Sequence, residues 1–222
     1  MSDTFLFAIF PYLAIAIFLV GSIYRYNSNP YKFSSLSAEF LEGRQLYWGT
    51  MPFHIGISFL FLGHLIAFLF PNTLIAWNSQ PVRLIILELS AFVFGLSCLI
   101  GVFMLFKRRL MTKRIRVVSN YMDYIVLGLL LIQIISGLWV AFFDRWGSSW
   151  FAAVLTPYLR SLFVFKPTID AVQTLPLSIK LHIISAISII AIIPFTRLVH
   201  FLVPPINYIW RDYQQVIWNK KG

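Results

Sequence analysis

Four histidines are the residues of this chain best suited to chemistry, and the sequence contains no others. His54 and His64 lie ten residues apart in FHIGISFLFLGH (53–64). His182 lies in LHIISAISII and His200 in PFTRLVH, eighteen residues further on. All four sit in stretches fit for hydrocarbon, where an ionisable side chain is costly and usually marks a working site. Paired imidazoles suit metal ligation, proton relay or hydrogen bonding between helices.

The elements that must position them are transmembrane helices. The chain has 222 residues, 59% of them hydrophobic and 12% charged, with mean hydropathy +0.79. A span needs about 20 mostly apolar residues. Five segments qualify: 5–24, 50–70, 84–106, 121–143 and 181–203. The expected fold is an all-α membrane protein, a single domain over 1–222 built as a five-transmembrane-helix bundle. The apolar runs are continuous rather than alternating, which argues against a β-barrel. Asp3 precedes the first segment and Arg25 follows it, the reverse of a cleavable signal, so that span is expected to be retained. Cys98 is the sole cysteine, which excludes an internal disulfide and any four-cysteine cluster from this chain.

The formal charge of +10 has a topological meaning. KRRLMTKRIR (107–116) carries six of the 18 basic residues, and the positive-inside rule makes it cytoplasmic. Five spans then put the N-terminus outside and the C-terminus inside. Thirteen basic residues fall inside, and five (Arg83, Arg145, Arg160, Lys166 and Lys180) fall outside. Nucleic-acid binding is not needed to explain the charge. Asn29-Pro30 marks a turn in the first loop. The apolar stretch 150–165 contains Pro157 and Arg160 and is too short to span, so it reads as an interfacial helix or cap. The tail 204–222 mixes aromatics with charges and reads as a docking segment.

This topology pairs the histidines by depth: His54 with His200 near the inner surface, and His64 with His182 nearer the outer. Ten residues rise about 15 Å along a helix and eighteen about 27 Å, and eighteen return to the same face. The rises differ, and tilt or a kink at Pro194 would absorb part of the mismatch. Two stacked bis-histidine sites fit two haems, each held between facing helices of the bundle. Gly56 and Gly63, beside His54 and His64, would give a flat macrocycle room. Arg197, Arg108 and Arg109 are candidate partners for haem propionates. A haem-free proton or ion path and simple interhelical hydrogen bonds remain the alternatives.

FHIGISFLFLGH, LFKRRL, LH at 181–182 and PFTRLVH together resemble the gamma subunit of membrane-bound respiratory nitrate reductase, over nearly the whole chain. The resemblance implies two haem b groups, ligated by His54/His200 and His64/His182, in a bacterial or archaeal cytoplasmic membrane. It also implies quinol oxidation beside the outer haem, with electrons passed inward to iron–sulfur and molybdenum-containing subunits on the cytoplasmic side. A related anchor serving another cytoplasmic reductase, for example in sulfur metabolism, is the neighbouring alternative. Arg83 stands where the family commonly has Lys in its quinol pocket; its plain alternative is an interfacial anchor. Glu88 is unusual for an apolar span: it could pair with Arg83, accept a quinol proton or face a wet cavity. Gly63 and Tyr26 are further quinol-site candidates.

Overall fold

The computed structural model describes residues 2–28 and 43–202. The Asn29-Pro30 turn and the 204–222 docking tail lie outside the described residues. Among the described residues, five helices are long and apolar enough to cross a membrane: Phe5–Ser28, Arg44–Leu69, Pro81–Met111, Tyr121–Phe143 and Leu177–Phe195. Each overlaps an expected span; the fifth begins four residues earlier than expected and ends at Phe195 rather than 203. The third runs for 31 residues, so Lys107, Arg108 and Arg109 continue it as helix. At about 1.5 Å per residue it outreaches a hydrocarbon core of about 30 Å; Lys107 is exposed at this end, whereas Arg108 is buried and Arg109 pairs with Asp123. Large apolar side chains such as Val20, Phe59, Ile86 and Phe103 stay exposed on the spans. That is the arrangement lipid requires, because the backbone polar groups are satisfied within each helix.

The second and third spans are held in close contact by glycines. A Cβ on Gly56 would lie 2.6 Å from both Cys98 Sγ and the Phe94 carbonyl oxygen. One on Gly101 would lie 2.6 Å from the Gly49 carbonyl oxygen and the Phe53 nitrogen. Small residues at membrane helix interfaces permit this approach. Gly56 is therefore a packing residue facing the third span, not the source of space beside His54 expected from its position. Ser97 adds an interhelical hydrogen bond, its hydroxyl donating to the Pro52 carbonyl at 2.9 Å.

The stretch expected as an interfacial cap is helical from 147 to 163, through a π turn at Phe151–Leu155. It closes the end of the second span. The Thr156 hydroxyl donates to the Ala67 carbonyl at 3.4 Å, and Arg160 donates to the Phe68 and Leu69 carbonyls at 2.8 and 3.2 Å. Those carbonyls are among the orphans that every helix C-terminus leaves. Tyr158 anchors the cap below, donating to the Phe7 carbonyl at 2.7 Å. Burial, reinforced by Tyr12, pushes its phenol well above the usual range. A short helix, Pro71–Asn78, fills the connection between the second and third spans and meets this cap through Asn78, which donates to Ser148 and Ser149.

The fifth span departs from a continuous helix. Its α-helical part ends at Ile192, a 3-10 turn covers Ile193–Phe195, and Thr196 is extended. A separate 3-10 helix, Arg197–Phe201, then carries His200. Pro194 lacks the N–H that would extend the helix. His182 and His200 thus do not lie on one regular helix, and the equal-face relation expected for an eighteen-residue spacing does not apply.

Candidate cofactor and substrate sites

All four imidazoles are fixed in one tautomer by a backbone carbonyl. Nδ1 of His54 donates to Thr50 at 2.8 Å, Nδ1 of His64 to Leu60 at 2.7 Å, and Nδ1 of His200 to Arg197 at 2.8 Å. Nδ1 of His182 donates to the Gln133 carbonyl of the fourth span at 3.0 Å. A carbonyl only accepts, so the proton resides on Nδ1 and the lone pair on Nε2. This is the arrangement by which a second hydrogen bond orients an imidazole for metal binding.

The structure brings His54 and His200 together, with ring centroids 6.1 Å apart. Two metal–nitrogen bonds of about 2 Å, with about 1 Å from nitrogen to ring centre on each side, require about 6 Å. The donor set and this spacing fit a shared metal, and His54 and His200 are the side chains that would hold a haem iron there. No ring contact joins His64 and His182 among the described residues. His64 is exposed, and its ring meets Phe151 edge-on at 5.1 Å. His182 packs into the fourth span, where a Cβ on Gly137 would lie 2.8 Å from its Cε1. Its Nε2 accepts from the Gln133 side-chain amide at 3.1 Å, and Ser185 in turn donates to the Gln133 side-chain oxygen. His64 and His182 are both Nδ1-protonated imidazoles, but the His182 lone pair is engaged by Gln133 and the two rings are not brought together as His54 and His200 are.

Two of the expected propionate partners, Arg109 and Arg197, meet on one carboxylate. Arg109 donates to Asp123 Oδ2 at 2.7 Å, and Arg197 Nε to Asp123 Oδ1 at 3.0 Å. Asp123 is 3% exposed, and Arg108 is buried nearby on the same span end as Arg109. The sequence points to the arginines but not to the carboxylate they share, nor to Gln133. Both are polar residues in or at the start of an apolar span, a signal of the same kind as the histidines.

Arg83 lies over the Trp77 ring at 5.0 Å. The two line a mainly apolar groove of about 350 Å³ together with Ile66, Thr73, Leu74, Ile86, Leu87 and Ser90. Ile66 places the groove two residues beyond His64 on the second span. Gly63 has open space where a side chain would project. Glu88 does not pair with Arg83 among the described ion pairs. Its Oε1 accepts from the Ser148 backbone N–H at 2.9 Å and the Ser148 hydroxyl at 2.6 Å, at the first turn of the cap helix. A carboxylate is favourable there because unpaired N–H groups point at it. Tyr26 lies at the opposite end of the bundle, next to Arg25, which donates to the Pro194 and Thr196 carbonyls.

These features define a multi-pass integral membrane protein in which the second span and the 3-10 segment after the fifth bring His54 and His200 together. The family model described as nitrate reductase gamma subunit matches residues 3–219. The chain is 31% identical to the nitrate reductase gamma chain of Bacillus subtilis (strain 168) over 225 residues, covering all of both proteins. It is 32% identical to the respiratory nitrate reductase 1 gamma chain of Escherichia coli (strain K12) over 222 residues, 96% of each. The chain belongs to the nitrate reductase gamma subunit family. It is the membrane-anchor subunit of a nitrate reductase, associated with other subunits of that enzyme and integral to the cytoplasmic membrane.

Proposed function

We propose that this subunit oxidises quinol at the outer membrane surface and delivers the electrons to iron–sulfur and molybdenum-containing partners on the cytoplasmic side. His54 and His200 hold one haem b on the inner side, and His64 and His182 hold a second on the outer. The observation that carries the reading is the 6.1 Å approach of His54 and His200, with each Nδ1 committed to a carbonyl and each Nε2 available to iron.

When bound, the haems supply one-electron carriers at two depths of the bundle. The chain's residues do the rest. The groove beside Ile66 and Trp77 takes the quinol ring, and Arg83 donates a hydrogen bond to a quinol oxygen from the rim. Gly63 leaves room for ring and cofactor to approach each other. Glu88 holds the cap helix against the third span and so shapes the groove's neighbourhood. Arg197, Arg108 and Arg109 offset propionate charge at the inner site. Oxidation of one quinol yields a quinone, two protons and two electrons. The positive-inside reading places the groove outside, so the protons leave there while the electrons cross inward.

The test is a reduced-minus-oxidised spectrum of the purified complex, with haem quantified per gamma chain. Two b-type haems are expected, reducible by quinol and reoxidised by nitrate. Absence of b-type bands would return the histidines to proton relay or helix pairing.

A further inference from the structure

We propose that Asp123 is the positioning residue of the His54/His200 site: through Arg197 it fixes the segment that presents His200, and with it the potential of the haem held there. The inference rests on the reading of His54 and His200 as haem ligands.

The segment that carries His200 has little helical support of its own. It is a five-residue 3-10 helix, Arg197–Phe201, entered through an extended Thr196. No α-helical ladder ties it to the span before it. Two clamps hold it instead. Arg25 of the first span donates to the Pro194 and Thr196 carbonyls and fixes the break. Arg197 reaches to the start of the fourth span, donating through Nε to Asp123 Oδ1 at 3.0 Å and through a terminal nitrogen to the Val118 carbonyl at 3.1 Å. The Arg197 carbonyl is the acceptor for Nδ1–H of His200 at 2.8 Å. A path of contacts thus runs from the Asp123 carboxylate to the imidazole ring.

Asp123 is itself rigidly placed. Its carboxylate closes a reciprocal cap with Asn120, whose side chain accepts from the Asp123 N–H at 2.9 Å while Oδ2 accepts from the Asn120 N–H at 3.1 Å. Oδ2 also takes Arg109 of the third span at 2.7 Å. One buried anion therefore joins the third span, the fourth span and the His200 segment. Such a charge, in a medium of low dielectric, acts strongly on a neighbouring redox centre. A negative charge there disfavours the reduced haem, which carries one more electron. Its loss also releases a guanidinium, and both changes raise the midpoint potential.

The experiment is a redox titration of both haems in the assembled complex. Asp123→Asn keeps the side chain's size and removes its charge. The expected result is full haem content, a higher potential for the His54/His200 haem and an unmoved potential for the other. Low-spin g-values of the oxidised haem, which report the angle between imidazole planes, should shift in the same site only. Arg197→Gln should lower that potential. In the double variant the Asp123 substitution should shift it less than it does alone, because the two residues act as a pair. Should Asp123→Asn fail to assemble, Asp123→Glu, which keeps the charge but alters the reach, should still move the g-values. Unchanged potential and g-values, equal shifts of both haems or strict additivity would overturn the assignment. Absence of b-type haem from the parent complex would overturn the ligand reading and the Asp123 inference with it.

Discussion

The Cε1 of His182 lies 2.8 Å from where Gly137 would carry a Cβ. The fourth span thus receives the ring of the fifth at a position where only glycine leaves space. Gly137→Ala should displace the imidazole and weaken the haem assigned to His64/His182, leaving the His54/His200 haem in place. Overpacking of this kind costs about 1–3 kcal/mol. Spectral titration of b-type absorbance distinguishes the two sites, and equal loss of both would contradict the prediction.

Ligand pairing predicts a pattern across four variants. His54→Ala and His200→Ala should abolish the same haem, since their rings stand 6.1 Å apart. His64→Ala and His182→Ala should abolish the other. Loss of different haems from His54→Ala and His200→Ala would show that the two rings serve separate sites.

Arg83→Ala should lower kcat/KM for quinol while both haems remain bound. A hydrogen bond from a charged donor contributes about 1.5–3 kcal/mol, which corresponds to roughly a ten- to hundredfold loss. The Trp77 ring beneath the guanidinium would remain as part of the groove wall. Unaltered steady-state kinetics would make Arg83 a membrane-surface anchor.

Glu88 should divide structure from proton chemistry. Glu88→Gln retains an oxygen for Ser148 and should leave quinol turnover close to the parent value. Glu88→Ala removes the acceptor of two hydrogen bonds and should destabilise the cap by about 1–2 kcal/mol, seen as a lower melting temperature. A large fall in turnover for Glu88→Gln at unchanged stability would instead assign it the quinol proton.

Quinol-driven turnover in sealed vesicles should acidify the compartment facing the His64 end. Moving each charge across the membrane costs about 2.3 kcal/mol per 100 mV, so the released protons carry usable energy. Acidification of the side facing His54 would reverse the vectorial scheme.

The sequence revealed the five spans because each is a long apolar run, a signal that survives any packing arrangement. It revealed the histidines because imidazole is rare in such runs. The break at Thr196 was legible only as a proline, since Pro194 fixes where a helix falters but not which way the chain turns afterwards. Asp123 escaped notice because a carboxylate at a helix start is ordinarily a cap; its two arginine partners come from elements 14 and 74 residues away. Gln133 was hidden by its apolar neighbours, and its role appears only once the fourth and fifth spans are side by side. Gly56 was misassigned because adjacence to His54 in sequence says nothing about face: it points to Cys98.

The seal on the second span has a consequence for biogenesis. Ala67, Phe68 and Leu69 wait for Thr156 and Arg160, which follow them by 89 to 92 residues. At about 5–20 residues per second of synthesis, that delay lasts on the order of ten seconds. Until then the last turn of the span must bond to water or headgroups, with the third and fourth spans already following it into the bilayer. The end of the second span beside the cap therefore stays open while the third and fourth spans are made, whereas the glycine contact between the second and third spans is available as soon as both have emerged.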